Sequence, residues 1–179
     1  MIEGAQPDPL LRDHLSLFVP QTSGGPILDL ACGNGHNGLF LASQGLPVIL
    51  ADISEEALDR AGKLAEKMGV EAAFWQVDLE KADQDPLEAD FFSAIVVFRY
   101  LHRPLIPYIR KALKKEGVLV YETYTLDQAR FGKPHNPDFL LKPGELSSWF
   151  EDWEIAHYFE GIKQDPERAI AQIVCRKRE

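Results

Sequence analysis

A short apolar run that ends in three closely spaced glycines constrains the fold of this chain more than any other feature. The run Ile27–Leu30 carries a single acid, Asp29, and Gly33, Gly35 and Gly38 follow it. This pattern predicts a buried parallel strand that turns sharply into a helix. Glycine suits the turn because it adopts unusual backbone angles and lets the main chain approach a ligand closely. The N-terminus of the helix would then offer unpaired N–H groups to an anionic ligand group.

Two further acids follow apolar runs where a nucleoside site requires them. Asp52 closes the run 48–51, about 20 residues after the glycines, where a carboxylate can bind a ribose diol. A third apolar run, 72–77, ends in Asp78 and Leu79. The order strand, glycine loop, helix, strand with acid, helix, strand with acid indicates an α/β domain that binds a nucleoside.

The acid inside the first strand separates two classes of glycine-loop protein. A nicotinamide-dependent dehydrogenase uses its loop for a pyrophosphate and has no use for an acid at Asp29. Segment 29–35, together with Asp52 and the pair Asp78 and Leu79, resembles the class I S-adenosylmethionine-dependent methyltransferases instead. Within that class, segments 32–38 and 99–104 are most similar to the tellurite-resistance-type branch of small-molecule methyltransferases.

The resemblance extends over roughly 26–176 and implies the fold of the whole chain. It implies a single class I methyltransferase domain over 1–179, an α/β fold with a Rossmann-like, doubly wound, seven-stranded sheet. The sheet is expected to be mostly parallel, with a C-terminal antiparallel hairpin and helices on both faces. The expected positions are an N-terminal helical cap at 1–25, with helical spacing over 9–19, a fourth strand at 91–98, a helix end, glycine turn and fifth strand at 113–122, and hairpin strands at 153–159 and 169–175.

The resemblance also implies the cofactor S-adenosyl-L-methionine, with S-adenosyl-L-homocysteine as product and no metal. Asp29 would serve the ammonium region, Asp52 the ribose hydroxyls, and Asp78 with the Leu79 N–H the adenine edge. Ala31 departs from the family, because many members carry glycine there, and its methyl is expected to narrow the pocket slightly. The predicted cofactor-binding residues are Asp29, Ala31, Cys32, Gly33, Gly35, Asn37, Asp52, Ile53, Asp78, Leu79 and Phe98.

Candidate acceptor residues follow the fourth and fifth strands. Methyl transfer is an in-line displacement, so the enzyme must place an acceptor atom roughly 3–3.5 Å from the methyl carbon. His102 is the candidate general base, or else a wall of the cofactor pocket. The long segment 125–141 is either an active-site lid or an ordinary surface loop. Arg99 and Arg130 are candidates for binding an anionic acceptor beneath it.

Charge and composition narrow the classes of partner. Nineteen Lys and Arg against 28 acids give a net charge of −9, which argues against extensive binding of nucleic acid. Arg110, Lys111, Lys114 and Lys115 are locally basic and are expected to form the solvated face of a helix. Two cysteines far apart give no disulfide framework, and no apolar run approaches a membrane span, so we expect a cytoplasmic protein without a membrane partner. The oligomeric state is left open.

These observations predict an S-adenosylmethionine-dependent methyltransferase of a small, anionic acceptor. An RNA or protein methyltransferase and a non-catalytic S-adenosylmethionine-binding module are the alternatives that share the motifs. A nicotinamide-dependent oxidoreductase would share the glycine loop and Asp52. However, Tyr108 and Lys111 are too closely spaced for the Tyr-x-x-x-Lys pair of short-chain dehydrogenases.

Overall fold

The structure is a computed structural model that describes residues 5–18, 24–81 and 84–178. Within these residues seven strands form one sheet: β1 (Ile27–Leu30), β2 (Val48–Asp52), β3 (Ala73–Gln76), β4 (Phe92–Phe98), β5 (Leu113–Tyr124), β6 (Glu154–Lys163) and β7 (Arg168–Arg176). The order across the sheet is β3-β2-β1-β4-β5-β7-β6. The first five strands pair in parallel, whereas β7 is antiparallel to both β5 and β6. The mostly parallel sheet with a C-terminal antiparallel hairpin is therefore confirmed.

Helices cover both faces of this sheet, as predicted. They are α1 (Pro9–Asp13), α2 (His36–Ser43), α3 (Glu55–Met68), α4 (Ile106–Ala112) and α5 (Glu145–Ser148). Successive side chains of a strand point to opposite faces. On β4, Ala94 and Val96 therefore join the core beneath α1, α2 and α3, whereas Ile95 and Val97 join the core beneath α4 and α5.

The ends of α3 show how the sequence fixes an element beside the candidate site. The Ser54 hydroxyl accepts a hydrogen bond from the Ala57 N–H at 3.1 Å, which caps the first turn. Gly69 ends the helix with a φ of 66°, a left-handed conformation that favours glycine. Because only Ile53 separates Ser54 from the end of β2, this cap fixes the direction in which the chain leaves Asp52.

Two predicted boundaries need correction. The expected helix end and turn before the fifth strand are wrong, because α4 ends at Ala112 and Leu113 already has an extended ψ of 134°. Leu113 pairs with Phe92 and buries its side chain in the core, so Lys114 and Lys115 lie on β5 rather than on a helix face. The helical spacing over 9–19 gives α1 followed by a 3-10 turn at Leu15–Phe18. Residues 1–4 and 19–23 of the predicted cap lie outside the described residues.

Candidate functional site

The glycine loop leaves β1 through three residues with positive φ. These are Ala31 (54°), Gly33 (55°) and Gly35 (80°). A Cβ at Gly35 would lie 2.5 Å from Cδ2 of Leu50, so the turn also needs glycine for space. Ala31 tolerates the same left-handed region despite its Cβ, which explains why glycine suits this position in the resembled family. The loop thus follows directly from its residue types.

Asp29 connects β1 to the helix after the glycine loop. Its buried carboxylate accepts a hydrogen bond from the Gly38 N–H at 2.8 Å. A Cβ at Gly38 would lie 2.7 Å from the same oxygen, so only glycine permits this approach. Burial raises the pKa of Asp29 to about 7, although the hydrogen bond from Gly38 opposes the shift.

Asp52 joins the end of β2 to the glycine loop in a similar way. One carboxylate oxygen accepts from the Gly33 N–H at 2.8 Å and the other from the Ser54 N–H at 2.9 Å. Main-chain donors therefore fix both the position and the orientation of this acid. A carboxylate oxygen has a second acceptor site, so Asp52 can still accept hydrogen bonds from a diol.

A cavity of about 320 Å³ opens beside Asp52, and we call it the Asp52 cavity. One wall is apolar, and Ile53 in it is 62% exposed, which leaves a flat apolar surface for a ligand. Carboxylates lie along the same cavity. Its lining residues are Ala31, Asp52, Ile53, Val77, Asp78, Leu79, Glu80, Arg99 and Tyr100.

A second cavity of about 240 Å³ adjoins the first, and we call it the Tyr124 cavity. Glu80, Arg99 and Tyr100 line both cavities, and we call these three residues the shared wall. Aromatic and apolar side chains form most of the remaining surface. The residues that line only the second cavity are Leu101, Thr123, Tyr124, Pro134 and Phe139.

Glu80 connects Tyr100 and His102. The Tyr100 hydroxyl donates to Glu80 Oε1 at 3.0 Å, and His102 Nδ1 lies 3.9 Å from the same oxygen. Burial, followed by the charge of Glu80, raises the pKa of Tyr100 far above its usual range, so its hydroxyl stays neutral. His102 lines a separate hollow of about 260 Å³ that shares Leu79 and Glu80 with the Asp52 cavity. His102 therefore lies near the shared wall only through its proximity to Glu80.

Arg99 lies between two carboxylates. Its Nη1 donates to Asp8 Oδ2 at 3.2 Å and lies 3.6 Å from Glu122 Oε1. Arg99 has a φ of 56°, uncommon for a residue with a Cβ, at the point where the chain leaves β4. The Asp8 N–H donates to Asn37 Oδ1 at 2.7 Å, so the residue before α1 contacts both α2 and Arg99.

Comparison with known proteins identifies the family of this chain. The profile of the tellurite resistance protein TehB matches residues 17–168. The chain belongs to the TehB family. It is 27% identical over 143 residues to the probable S-adenosyl-L-methionine-dependent methyltransferase TehB of Haemophilus influenzae, over 76% of this chain and 48% of that protein. It is 28% identical over 165 residues to the ubiquinone biosynthesis O-methyltransferase of Actinobacillus pleuropneumoniae, over 79% and 70% respectively.

The structures agree with this assignment at the level of the fold. The crystal structure of TehB from Haemophilus influenzae superposes with a TM-score of 0.71 at 20% identity, covering 92% of this chain and 62% of that chain. In the sequence comparison, the chain spans about half the length of the curated TehB proteins it matches. The predicted family and its Rossmann-like fold are both confirmed.

The segment 125–141 of this TehB family member is tied to the domain through Arg103. Arg103 donates to the carbonyls of Asp138 and Leu140 at 3.0 and 2.9 Å, and its Nε donates to Glu145 Oε1 at 2.6 Å. Arg130 lies on the outside of the segment, exposed, with its guanidinium carbon 5.5 Å from the centre of the Phe131 ring. Arg99 lines both cavities, whereas Arg130 is not among the residues that line either of them.

The structure gathers part of the predicted cofactor set in one cavity. Ala31, Asp52, Ile53, Asp78 and Leu79 all line the Asp52 cavity. The other predicted residues lie on β1, in the glycine loop, on α2 and on β4, and their roles stay predictions: Asp29, Cys32, Gly33, Gly35, Asn37 and Phe98.

Sequence reasoning missed several residues of the two cavities. Glu80 and Tyr100 each directly follow a residue that was identified, Leu79 and Arg99, so adjacency was an available signal. Tyr124 ends β5 directly before the segment 125–141, so its place at the end of the fifth strand was the available signal. Among the residues that the structure describes, no helix is long and apolar enough to cross a membrane.

Proposed function

We propose that this chain is an S-adenosylmethionine-dependent methyltransferase that acts on a small acceptor. The shared wall is the observation that carries the proposal. A methyl donor in the Asp52 cavity and an acceptor in the Tyr124 cavity would meet at Glu80, Arg99 and Tyr100. The names of the related Haemophilus and Actinobacillus proteins support the same reaction type.

The residues of the Asp52 cavity fit this cofactor. Asp52 is oriented by two main-chain donors and retains acceptor sites for the ribose hydroxyls. Asp78 lines the cavity at the end that would receive the adenine amine, and Ile53 offers an apolar surface for the ring. A volume of about 320 Å³ is in the range of small-molecule sites. When bound, the cofactor supplies a methyl group activated by its sulfonium.

Methyl transfer requires the protein to position the donor and the acceptor, but not to form a covalent bond with either. The lone pair of the acceptor forms the new bond to the methyl carbon, and the electrons of the carbon–sulfur bond remain on sulfur. Tyr100 and Tyr124, held by the ends of β4 and β5, would orient the acceptor for this in-line approach. A base is needed only for an acceptor that arrives protonated, and then Glu80 or His102 would receive the proton.

Of the two arginines in the sequence-based hypothesis of an anionic acceptor, Arg99 is the one that lines the Tyr124 cavity. Its side chain is 47% exposed, so it could contact a negative group. Asp8 and Glu122 already balance its charge, however, so an anion would have to compete with them. A neutral acceptor with a hydroxyl is the second candidate, because the Glu80 carboxylate and the aromatic lining suit it.

A panel assay tests the function and separates the acceptors. The purified chain is incubated with S-adenosylmethionine and, in turn, tellurite, selenite, small carboxylates, catechols, thiols and tRNA, and release of S-adenosylhomocysteine is measured. We expect release with one class of small acceptor and its loss in an Asp52→Ala variant. Release with tRNA alone would instead assign the RNA methyltransferase alternative. Binding of the cofactor without release would assign the non-catalytic module. The cytoplasmic location stays a prediction.

A further inference from the structure

The charge balance around Arg99 raises a problem for the proposed cofactor. The guanidinium is ionised at every working pH, and it belongs to the wall that the two cavities share. The transferred methyl group must lie where donor and acceptor meet, so the sulfonium would lie near this wall as well. Two positive charges a few ångströms apart in a partly enclosed site repel each other appreciably.

Two carboxylates surround the same guanidinium. Asp8 and Glu122 lie 3.2 and 3.6 Å from Arg99 Nη1, and their side chains are only 9% and 1% exposed. Burial, followed by the charge of Asp8, raises the pKa of Glu122, whereas the hydrogen bond from Gln172 and the charge of Arg99 oppose the shift. When both acids are ionised, the three groups carry a net charge of −1, and their burial limits screening by solvent. The surplus negative charge would favour a cationic ligand over a neutral one at the shared wall.

Glu122 is the more unusual of the two acids. Its Oε2 accepts from Gln172 Nε2 at 2.7 Å, but its Oε1 is buried and has no hydrogen-bond partner among the described residues. A carboxylate oxygen in this state is costly unless a nearby positive charge compensates it. Arg99 provides one such charge at 3.6 Å, and the proposed sulfonium would provide a second.

We infer that Asp8 and Glu122 are the counter-charges that let a cationic cofactor bind beside Arg99. They thereby set the preference of this site for S-adenosylmethionine over S-adenosylhomocysteine. The two ligands differ by the methyl group and its positive charge. The ratio of their affinities therefore depends on the charge of the shared wall. The inference rests on the proposed function, because it takes S-adenosylmethionine as the ligand of the Asp52 cavity.

Isosteric substitutions remove the charges with little change in shape. Asparagine at Asp8 keeps the oxygen that accepts from the Leu10 N–H and caps α1. Glutamine at Glu122 keeps an oxygen for the contact with Gln172. Asp152→Asn is the matched control, because Asp152 pairs with Arg110 at 2.7 Å and neither residue lines either cavity.

Calorimetric titration with both ligands at about pH 8 tests the inference. We expect Asp8→Asn and Glu122→Gln each to weaken S-adenosylmethionine binding by about fivefold while S-adenosylhomocysteine binding stays within about twofold. Arg99→Met should shift the ratio of the two affinities in the opposite direction, and the control should leave it unchanged. If the buried Glu122→Gln variant does not fold, the Asp8→Asn variant alone still tests the inference.

The outcomes separate this inference from the function on which it rests. Equal weakening of both ligands would show that the acids have only a structural role, and unchanged affinity for both ligands would show that the charges of the acids do not affect cofactor binding. Either result overturns the inference while the cofactor assignment stands. If wild-type protein binds neither ligand, the proposed function fails, and the inference fails with it.

Discussion

The two cavities that meet at Arg99 are built from different kinds of contact. Main-chain N–H groups of Gly33 and Ser54 fix the acid of the Asp52 cavity, and all of these residues belong to the first two strand–helix units. Apart from Glu80, the Tyr124 cavity is lined instead by side chains that follow β4, end β5 or belong to the segment 125–141. Backbone geometry constrains the first, whereas the second can change by substitution without altering the fold.

This difference predicts that substitutions beside the two cavities have different consequences. A change at Tyr124 or Phe139, which are only partly buried or exposed, would alter the shape and polarity of the Tyr124 cavity. A change at Gly38 would bring a Cβ within 2.7 Å of the Asp29 carboxylate and disturb the connection between β1 and α2. Substitutions in and beneath the glycine loop should therefore have larger effects than substitutions in the Tyr124 cavity.

The largest expected effect concerns the buried acid beneath the glycine loop. The pKa of Asp29 is raised from 3.8 to about 7, so the native state keeps a proton that the unfolded chain releases near pH 4. The contribution of this group to stability is therefore complete below pH 4 and is lost as the pH rises through about 7. The loss amounts to about 4 kcal/mol of the free energy of unfolding, as an order of magnitude.

Asp29→Asn isolates this contribution, because asparagine can still accept from the Gly38 N–H. Urea denaturation from pH 4 to pH 8 should show a steeper decline for the wild type than for the variant. Other titrating groups cancel in the difference between the two curves. Parallel curves would mean that Asp29 is ionised in the native protein throughout this range.

The second prediction concerns Asp52. Asp52→Ala removes the acceptors for Gly33 and Ser54. It would also remove the two charge-assisted hydrogen bonds that we propose between Asp52 and the ribose, each worth roughly 1.5–3 kcal/mol. We expect S-adenosylhomocysteine affinity to fall by at least about tenfold without loss of the fold. Calorimetry with the variant and with Tyr124→Phe as the control measures this. Unchanged affinity, or tight binding of NAD instead, contradicts the assignment of the Asp52 cavity.

The same contrast decides how much of the molecule could be predicted from its sequence. Gly33 and Gly35 adopt positive φ, and Asp52 ends a strand, so local geometry restricts the residue types and leaves a readable pattern. Arg103 and Glu145 are 42 residues apart, and their contact depends on side-chain reach across the finished fold. No local pattern encodes such a contact.

The boundary errors have a comparable cause. Leu113 continues the apolar and basic pattern of α4, but pairing with Phe92 and burial in the core make it the first residue of β5. Tertiary contacts therefore decided the end of this helix. Glu80 follows Asp78 and Leu79, but the contact of its side chain with the Tyr100 hydroxyl, 20 residues away along the chain, has no local pattern.

The third prediction addresses the attachment of the segment 125–141. Arg103→Ala removes the donors to Asp138, Leu140 and Glu145 and should leave the segment loosely held. Hydrogen exchange at 138–141 should become about tenfold faster, and the KM for the acceptor should rise, while S-adenosylhomocysteine affinity stays nearly constant. The conservative Arg103→Lys variant should recover only part of the effect, because lysine lacks the planar fork. Unaltered exchange at 138–141 would show that other contacts hold the segment.

The smallest expected effect belongs to Arg130, and it tests whether the segment moves. In the structure Arg130 is exposed and stacks on Phe131, so Arg130→Ala should change methyl transfer by less than about twofold if this arrangement is the working one. The sequence-based hypothesis of a lid predicts about a tenfold loss, because closure would bring Arg130 over the acceptor. Arg99→Ala provides the comparison, since Arg99 already lines both cavities. Hydrogen exchange of 125–141 with and without S-adenosylhomocysteine and acceptor then distinguishes the two cases. A tenfold loss together with ligand-induced protection requires closure. A small loss with exchange unaffected by ligand means that the segment is a fixed wall of the Tyr124 cavity.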